Sequence, residues 1–245
     1  MVMRTPSIHP WPLLKASLKT IQPFYGVLLI FSLPLSVLGV FRWIVPESLF
    51  SIVGTLYYLS IWSIFSAALV LYIYRKLKGK EISVSQSIQV SIKYFPILLL
   101  WKTLSMILIL IPLIPRLYFV TWVIMVEGCS VEDAVRRSWT LTKGYGWQIF
   151  GSCMVISLGF NAVAFLSNAI VAAMFDVSLV DLSSSLSITY LPGAIARFAS
   201  VGLNLFLFNP VDYAFNSLIF IYLLELKGHR LSFYSMPTFA AQKVE

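Results

Sequence analysis

Asp212 and Lys102 are the ionisable residues that fall well inside long apolar runs, where a charge is costly and calls for a partner or a task. Asp212 stands in Asn209-Pro210-Val211-Asp212-Tyr213. Pro210 deletes a helix hydrogen bond, so carbonyl oxygens are freed beside a carboxylate. Such a group can hold a proton, a cation or a basic side chain. Lys102 is about eight residues into its run, and Asp212 about twelve residues from the end of its own. At 1.5 Å per residue their depths differ by roughly 6 Å, which a lysine side chain spans. An intramembrane Lys102–Asp212 pair is therefore expected. A static lock between helices is a simpler task for it than an ion pathway. Asn161, Asn168, Asn204 and Asn216 supply polar contacts between helices.

A second set of residues suits lipid headgroups or a partner protein. Arg75, Lys76, Lys78 and Lys80 form the densest basic cluster, and Arg136, Arg137, Trp139 and Lys143 form another. Basic residues flanking apolar runs set topology and attract anionic lipid, and tryptophan settles at the headgroup level.

Catalytic and metal chemistry find little support. His9 and His229 stand alone, without a Cys, Asp or second His at ligand spacing. There is no Gly-x-Ser-x-Gly, phosphate loop or dinucleotide fingerprint. The expectation is no catalytic site, no metal and no cofactor, with bound phospholipid as the one non-protein component. Cys129 and Cys153 are expected to be unpaired, because a mostly helical connection holds them too far apart.

The elements that carry these residues are apolar helices. Of 245 residues, 59% are hydrophobic and 11% charged, with mean hydropathy +0.86. A water-soluble domain could not cover that much apolar surface. The runs are continuous rather than alternating, which selects helices over a β-barrel. The expected fold is all-α, with six transmembrane helices arranged as three hairpins, each preceded by a cytoplasmic amphipathic surface helix. The spans are read at about 24–45, 49–74, 95–111, 117–126, 147–174 and 199–224. The fourth is short, and could be re-entrant where protein covers its backbone. The surface helices are read at about 12–22, 82–94 and 130–143. The last begins at Ser130 with Asp133 three residues on, a capping-box-like start. The first apolar run is too long for a signal peptide, so span one is expected to be retained.

Fourteen of the 18 Lys and Arg residues fall before span one, in the 75–93 and 127–146 loops, and after span six. Only Arg42, Lys102, Arg116 and Arg197 remain for the opposite side and the span interiors. That excess puts both termini in the cytoplasm. A formal net charge of +8 is thereby accounted for without nucleic acid.

Short strings recur. Leu77-Lys78-Gly79-Lys80-Glu81-Ile82-Ser83 resembles Leu226-Lys227-Gly228-His229-Arg230-Leu231-Ser232. Lys15-Ala16-Ser17-Leu18, Gln89-Val90-Ser91-Ile92 and Arg136-Arg137-Ser138-Trp139 stand at similar places before a span. These matches suggest three repeated units.

The string Val126-Glu127-Gly128, Val131-Glu132-Asp133-Ala134-Val135-Arg136-Arg137-Ser138-Trp139, Leu141-Thr142-Lys143-Gly144 and Trp147 resembles a family of six-span proteins. It includes the membrane domain of some bacterial glycerophosphodiester phosphodiesterases and the stand-alone inner-membrane proteins of the YciC type. The resemblance covers about thirty residues and implies the six-span layout. It brings no reaction, since the soluble phosphodiesterase domain has no counterpart here. The reading that follows is a non-enzymatic accessory or scaffolding subunit, packed against larger integral membrane partners or organising local lipid. A bacterial inner or thylakoid-type membrane is the expected location. A small transporter or lipid-handling protein using the broken helices at Pro112, Pro115 and Pro210 with Asp212 is the alternative.

Overall fold

The computed structural model describes residues 10–44, 47–107, 114–176 and 191–227, which are helical with no strand among them. Helix α1 (Pro10–Ile21) leads through a 3-10 turn at Gln22–Phe24 into α2 (Tyr25–Ile44). Pro23 sits in the first turn of that segment, where its missing N–H costs nothing. The expected surface helix and the first span thus form one helical run, and Pro10–Pro34 is long and apolar enough to cross a membrane. Helices α3 (Glu47–Tyr57) and α4 (Ser63–Leu77) join through a π turn at Tyr58–Trp62, giving a second candidate span, Ile52–Leu77. A third is α10 (Gly146–Met174), unbroken over 29 residues. The fourth, Val201–Leu226, runs from α11 (Leu191–Leu203) through a π turn at Asn204–Phe208 into α12 (Asn209–Leu226). The wide turn lies just before Pro210, where the ring would otherwise clash with the preceding turn.

Among the described residues, four helices therefore have the length and composition of membrane spans, where six were expected. The difference lies in the middle of the chain. Helix α6 (Phe95–Ile107) has a short apolar stretch, Phe95–Ser105. Residues 108–113, including Pro112, lie outside the described set. The segment read as span four folds as α7 (Ile114–Leu117), a turn, and α8 (Val120–Glu127), the latter only about 12 Å long. Its far end returns to α9 (Val131–Thr142) instead of standing across a membrane from it. Ser138 Oγ of α9 donates to the Arg116 carbonyl at 2.7 Å, and the Arg137 guanidinium reaches Glu127 at 3.0 Å. Arg116, assigned by charge counting to the opposite side or a span interior, is packed against α9. Its neighbours in sequence explain the backbone's tolerance of burial: Val120 to Met125 are enclosed by protein.

The shorter helices are held by their caps. The full capping box is at Ser83, the cap of α5 (Val84–Lys93), where Ser83 and Gln86 exchange hydrogen bonds. Ser130 caps α9 by accepting from the Asp133 N–H. Gly79 and Gly128 end α4 and α8 in left-handed conformations, at φ 68° and 67°.

Packing follows a cyclic pattern. α5 lies along α4, α9 along α8, and α1 along α12. Each short helix thus rests on the buried helix that precedes it, and α1 rests on the last one. The burial pattern repeats in the same register. Ser17, Ser87 and Ser138 are fully enclosed; Phe24, Tyr94 and Tyr145 follow one position before the longer helices start or settle; Leu28, Leu98 and Ile149 are then buried. The sequence strings pointed to Ser91 as the counterpart of Ser17, but Ser87 holds that place, one helical turn earlier. Ser91 is also buried, so the two turns look alike in sequence.

Candidate functional site

The three buried helices α4, α8 and α12 meet at a cluster of polar and aromatic side chains. Trp122 of α8 donates its indole N–H to Ser217 Oγ of α12 at 3.1 Å. Its ring stacks on Tyr213, with centroids 6.3 Å apart, and on Tyr118 at 6.1 Å. Tyr213 faces Ser66 of α4, Tyr58 of the neighbouring π turn, and Asp212. Phe119 and Phe220 close the cluster below, 5.7 Å apart. Aromatic rings carrying one polar atom each suit such a place, because they fill space and still satisfy a partner.

Asp212 sits at one side of this cluster, half-buried. Its polar neighbours are Asn216, one turn further along α12, Tyr118, Tyr213, and Cys153 of α10. The Cys153 thiol donates to Asn216 Oδ1 at 3.6 Å. Asn216 is 1% exposed, and its Nδ2 finds no acceptor within hydrogen-bond distance even with the carboxyl close by.

The expected Lys102–Asp212 pair is not formed. Lys102 Nζ lies 3.4 Å from the Tyr58 hydroxyl and 5.1 Å from that ring's centroid. Tyr58, the residue that Lys102 meets, belongs to the π turn at Tyr58–Trp62, a feature that depth counting along ideal helices omits. Asn161, expected to bind between helices, donates to Ser157 O of its own helix at 2.8 Å and faces outward. Asn168 is half-buried on α10, and the Asn204 side chain lies outside the described residues.

The basic residues divide. Lys76 pairs with Glu81 at 2.5 Å, Lys78 with Glu225 at 3.1 Å, Arg136 with Glu132 at 2.6 Å, and Arg137 with Glu127 at 3.0 Å. Arg75 and Lys80 are also engaged. Lys143 is exposed and ends α9, and its carbonyl accepts from Lys227 Nζ at 3.0 Å. Trp139 lies beneath the Arg116 guanidinium, 4.4 Å from carbon to ring centroid. Sequence reasoning missed Arg116, Tyr118, Trp122 and Tyr213 as site residues. The recurrence of aromatics from Tyr118 to Trp122 was the available signal for Tyr118 and Trp122.

Cys129 and Cys153 are both free thiols. Burial, with Glu127 nearby, pushes the Cys129 thiol up to about 11. Among the described residues no group of three or more His, Cys, Asp or Glu could hold a metal. His9 and His229 lie outside them. What the cluster offers chemically is one carboxyl without a basic partner among the described residues, an amide donor, a thiol and phenols. That set can bind a proton, a cation or a hydroxylic group.

Comparison with protein-family models, with curated proteins and with solved structures finds no match.

Proposed function

We propose that this chain is a non-enzymatic accessory subunit of a membrane complex, which docks onto another membrane helix through α10 and organises the lipid beside it. The observation that carries this reading is the outward face of α10. Only 17% of its apolar window is buried within the chain, against 50% and 61% for the spans ending at Leu77 and Leu226. That open face is not purely lipid-like. Gly151, Ser157 and Asn161 are exposed on it, and a Cβ at Gly151 would meet nothing. Small residues allow close helix approach, and an outward asparagine in a span favours a polar partner over lipid tails.

In this reading two hairpins cross fully, through α2–α4 and α10–α12. α6 and the α7–α8 pair sit between them without crossing. Both ends of the described chain then face the cytoplasm, and α1, α5 and α9 lie at that surface. The membrane is a bacterial inner or thylakoid-type one, and the family is the YciC-like group that the 126–147 string resembles.

Gentle extraction from native membranes, followed by mass spectrometry, tests the reading. Stoichiometric membrane proteins that cross-link to photoreactive residues at positions 157 and 161 are expected. A particle carrying only lipid overturns it. A second reading, a small transporter, is favoured by Asp212 and the unmatched Asn216 amide. It requires flux that Asp212→Asn abolishes.

A further inference from the structure

We infer that Arg116, stacked on Trp139, forms with Lys143 and Lys227 a binding site for the phosphate of an anionic phospholipid. The inference deepens the lipid-organising part of the proposed function and does not depend on the partner helix.

Arg116 is held from its backbone. Ser138 Oγ and Thr142 Oγ1, one turn apart on α9, approach its carbonyl at 2.7 and 3.5 Å. Pro115 is buried against the start of α10, 3.6 Å from where a Cβ on Gly146 would stand. With the backbone fixed, the guanidinium of half-buried Arg116 lies over the Trp139 indole, its carbon 4.4 Å from the ring centroid. A contact with the ring consumes none of the N–H donors that point away from it. No acid meets them among the described residues, although Arg136 and Arg137 on the same helix are both ion-paired. A phosphate accepts two such donors at once.

The surroundings have the sign and the level that a headgroup needs. The C-terminal end of α9 carries Lys143, and Lys227 reaches across to that residue's carbonyl while lying 5.6 Å from the Tyr145 ring centroid. The acids of α9, Glu132 and Asp133, are at its opposite end, and Glu225 faces Lys78. The site stands beside the first turn of a candidate span, Gly146–Met174. Trp139 and Trp147, 38% and 81% exposed, mark the headgroup level there. The proposal also gives work to the string that stood out in the sequence: Ser138 and Thr142 anchor the arginine, Trp139 stacks on it, and Lys143 and Trp147 border the phosphate.

The test uses the full-length protein in nanodiscs of phosphatidylcholine containing a small fraction of phosphatidylglycerol. Native mass spectrometry counts the retained phosphatidylglycerol, and a photoreactive phosphatidylglycerol maps the contact on wild-type protein. One retained anionic lipid, with label on residues 114–117 and 138–147, is the expected result. Arg116→Gln should lower retention at least tenfold, Arg116→Lys less, and Arg136→Gln should leave it unchanged. Equal losses in Arg116→Gln and Arg136→Gln, or label scattered over all basic surfaces, would overturn the site. Displacement by millimolar inorganic phosphate would overturn a lipid as the source. Retention of co-extracted proteins is read separately, so failure of the lipid site and failure of the accessory-subunit reading give different results.

Discussion

Trp122 and Ser217 are joined by a hydrogen bond of 3.1 Å in the buried centre of the molecule, and it ties α8 to α12. The helix that does not have the length of a span is thereby fixed to one that does. Trp122→Phe and Ser217→Ala should each destabilise by about 1 kcal/mol, because the remaining partner is left buried and unmatched. The two losses should be non-additive, with a coupling of about 0.5–1.5 kcal/mol in a double-mutant cycle followed by denaturant titration in detergent. Strict additivity would mean that the two groups contribute only through packing.

Lys102 is placed to couple with Tyr58 and not with Asp212. Lys102→Leu combined with Tyr58→Phe should show an interaction of about 0.5 kcal/mol, in the range for a cation near an aromatic ring. Lys102→Leu combined with Asp212→Leu should be additive within about 0.5 kcal/mol. Coupling to Asp212 alone would restore the pair that depth counting suggests.

Gly79 and Gly128 share a left-handed backbone but not a setting. Alanine at Gly79 meets open space, so the cost is about 1–2 kcal/mol from conformation alone. Alanine at Gly128 adds a Cβ 2.7 Å from the Tyr94 hydroxyl and should cost more. Tyr94→Phe in the Gly128→Ala background should recover part of the loss, as read by thermal unfolding. Equal losses at the two glycines, without rescue, would show that the Tyr94 contact carries no weight.

Cys129 should alkylate slowly. With its thiol near 11, the reactive thiolate is scarce at pH 8 and rises about tenfold per pH unit until that value is passed. In a Cys153→Ala background, maleimide labelling should climb accordingly from pH 8 to pH 10. Glu127→Gln removes a nearby like charge and releases Arg137 from its pair, so it should speed labelling. A rise of only about tenfold, levelling off by pH 10, would place the thiol near its ordinary value of 9.0.

Much of this was legible in the chain. The helix start at Ser130, the apolar runs 147–174 and 199–224, and the recurrence of a serine before each long helix all carry local signals. The middle could not be read the same way. The string from Leu117 to Val126 is as apolar as a span, and hydropathy does not distinguish lipid from protein as its surroundings. Pro112 and Pro115 were read as a turn on the far side, whereas the Arg116 carbonyl meets hydroxyls from α9, a contact across 22 residues. The Lys102 assignment failed for a related reason. Depth along an ideal helix is computable, but which ring a π turn pushes into the gap is not. The polar cluster at Trp122 and Tyr213 needs three helices at once, and no single stretch of sequence contains it.

The seat of α1 on α12 has a consequence for biogenesis. A translating ribosome delivers α1 first of the described helices, but α12, on which it chiefly rests, is the last of them to arrive. Until then Ile21 has only its neighbours from α2 and α4 to pack with. A closed ring also has no natural seam: α1 relates to α12 as α5 does to α4. A chain re-opened between α4 and α5, with α12 joined to α1 by a copy of the residue 77–83 linker, should reach the same native state by a different order of assembly.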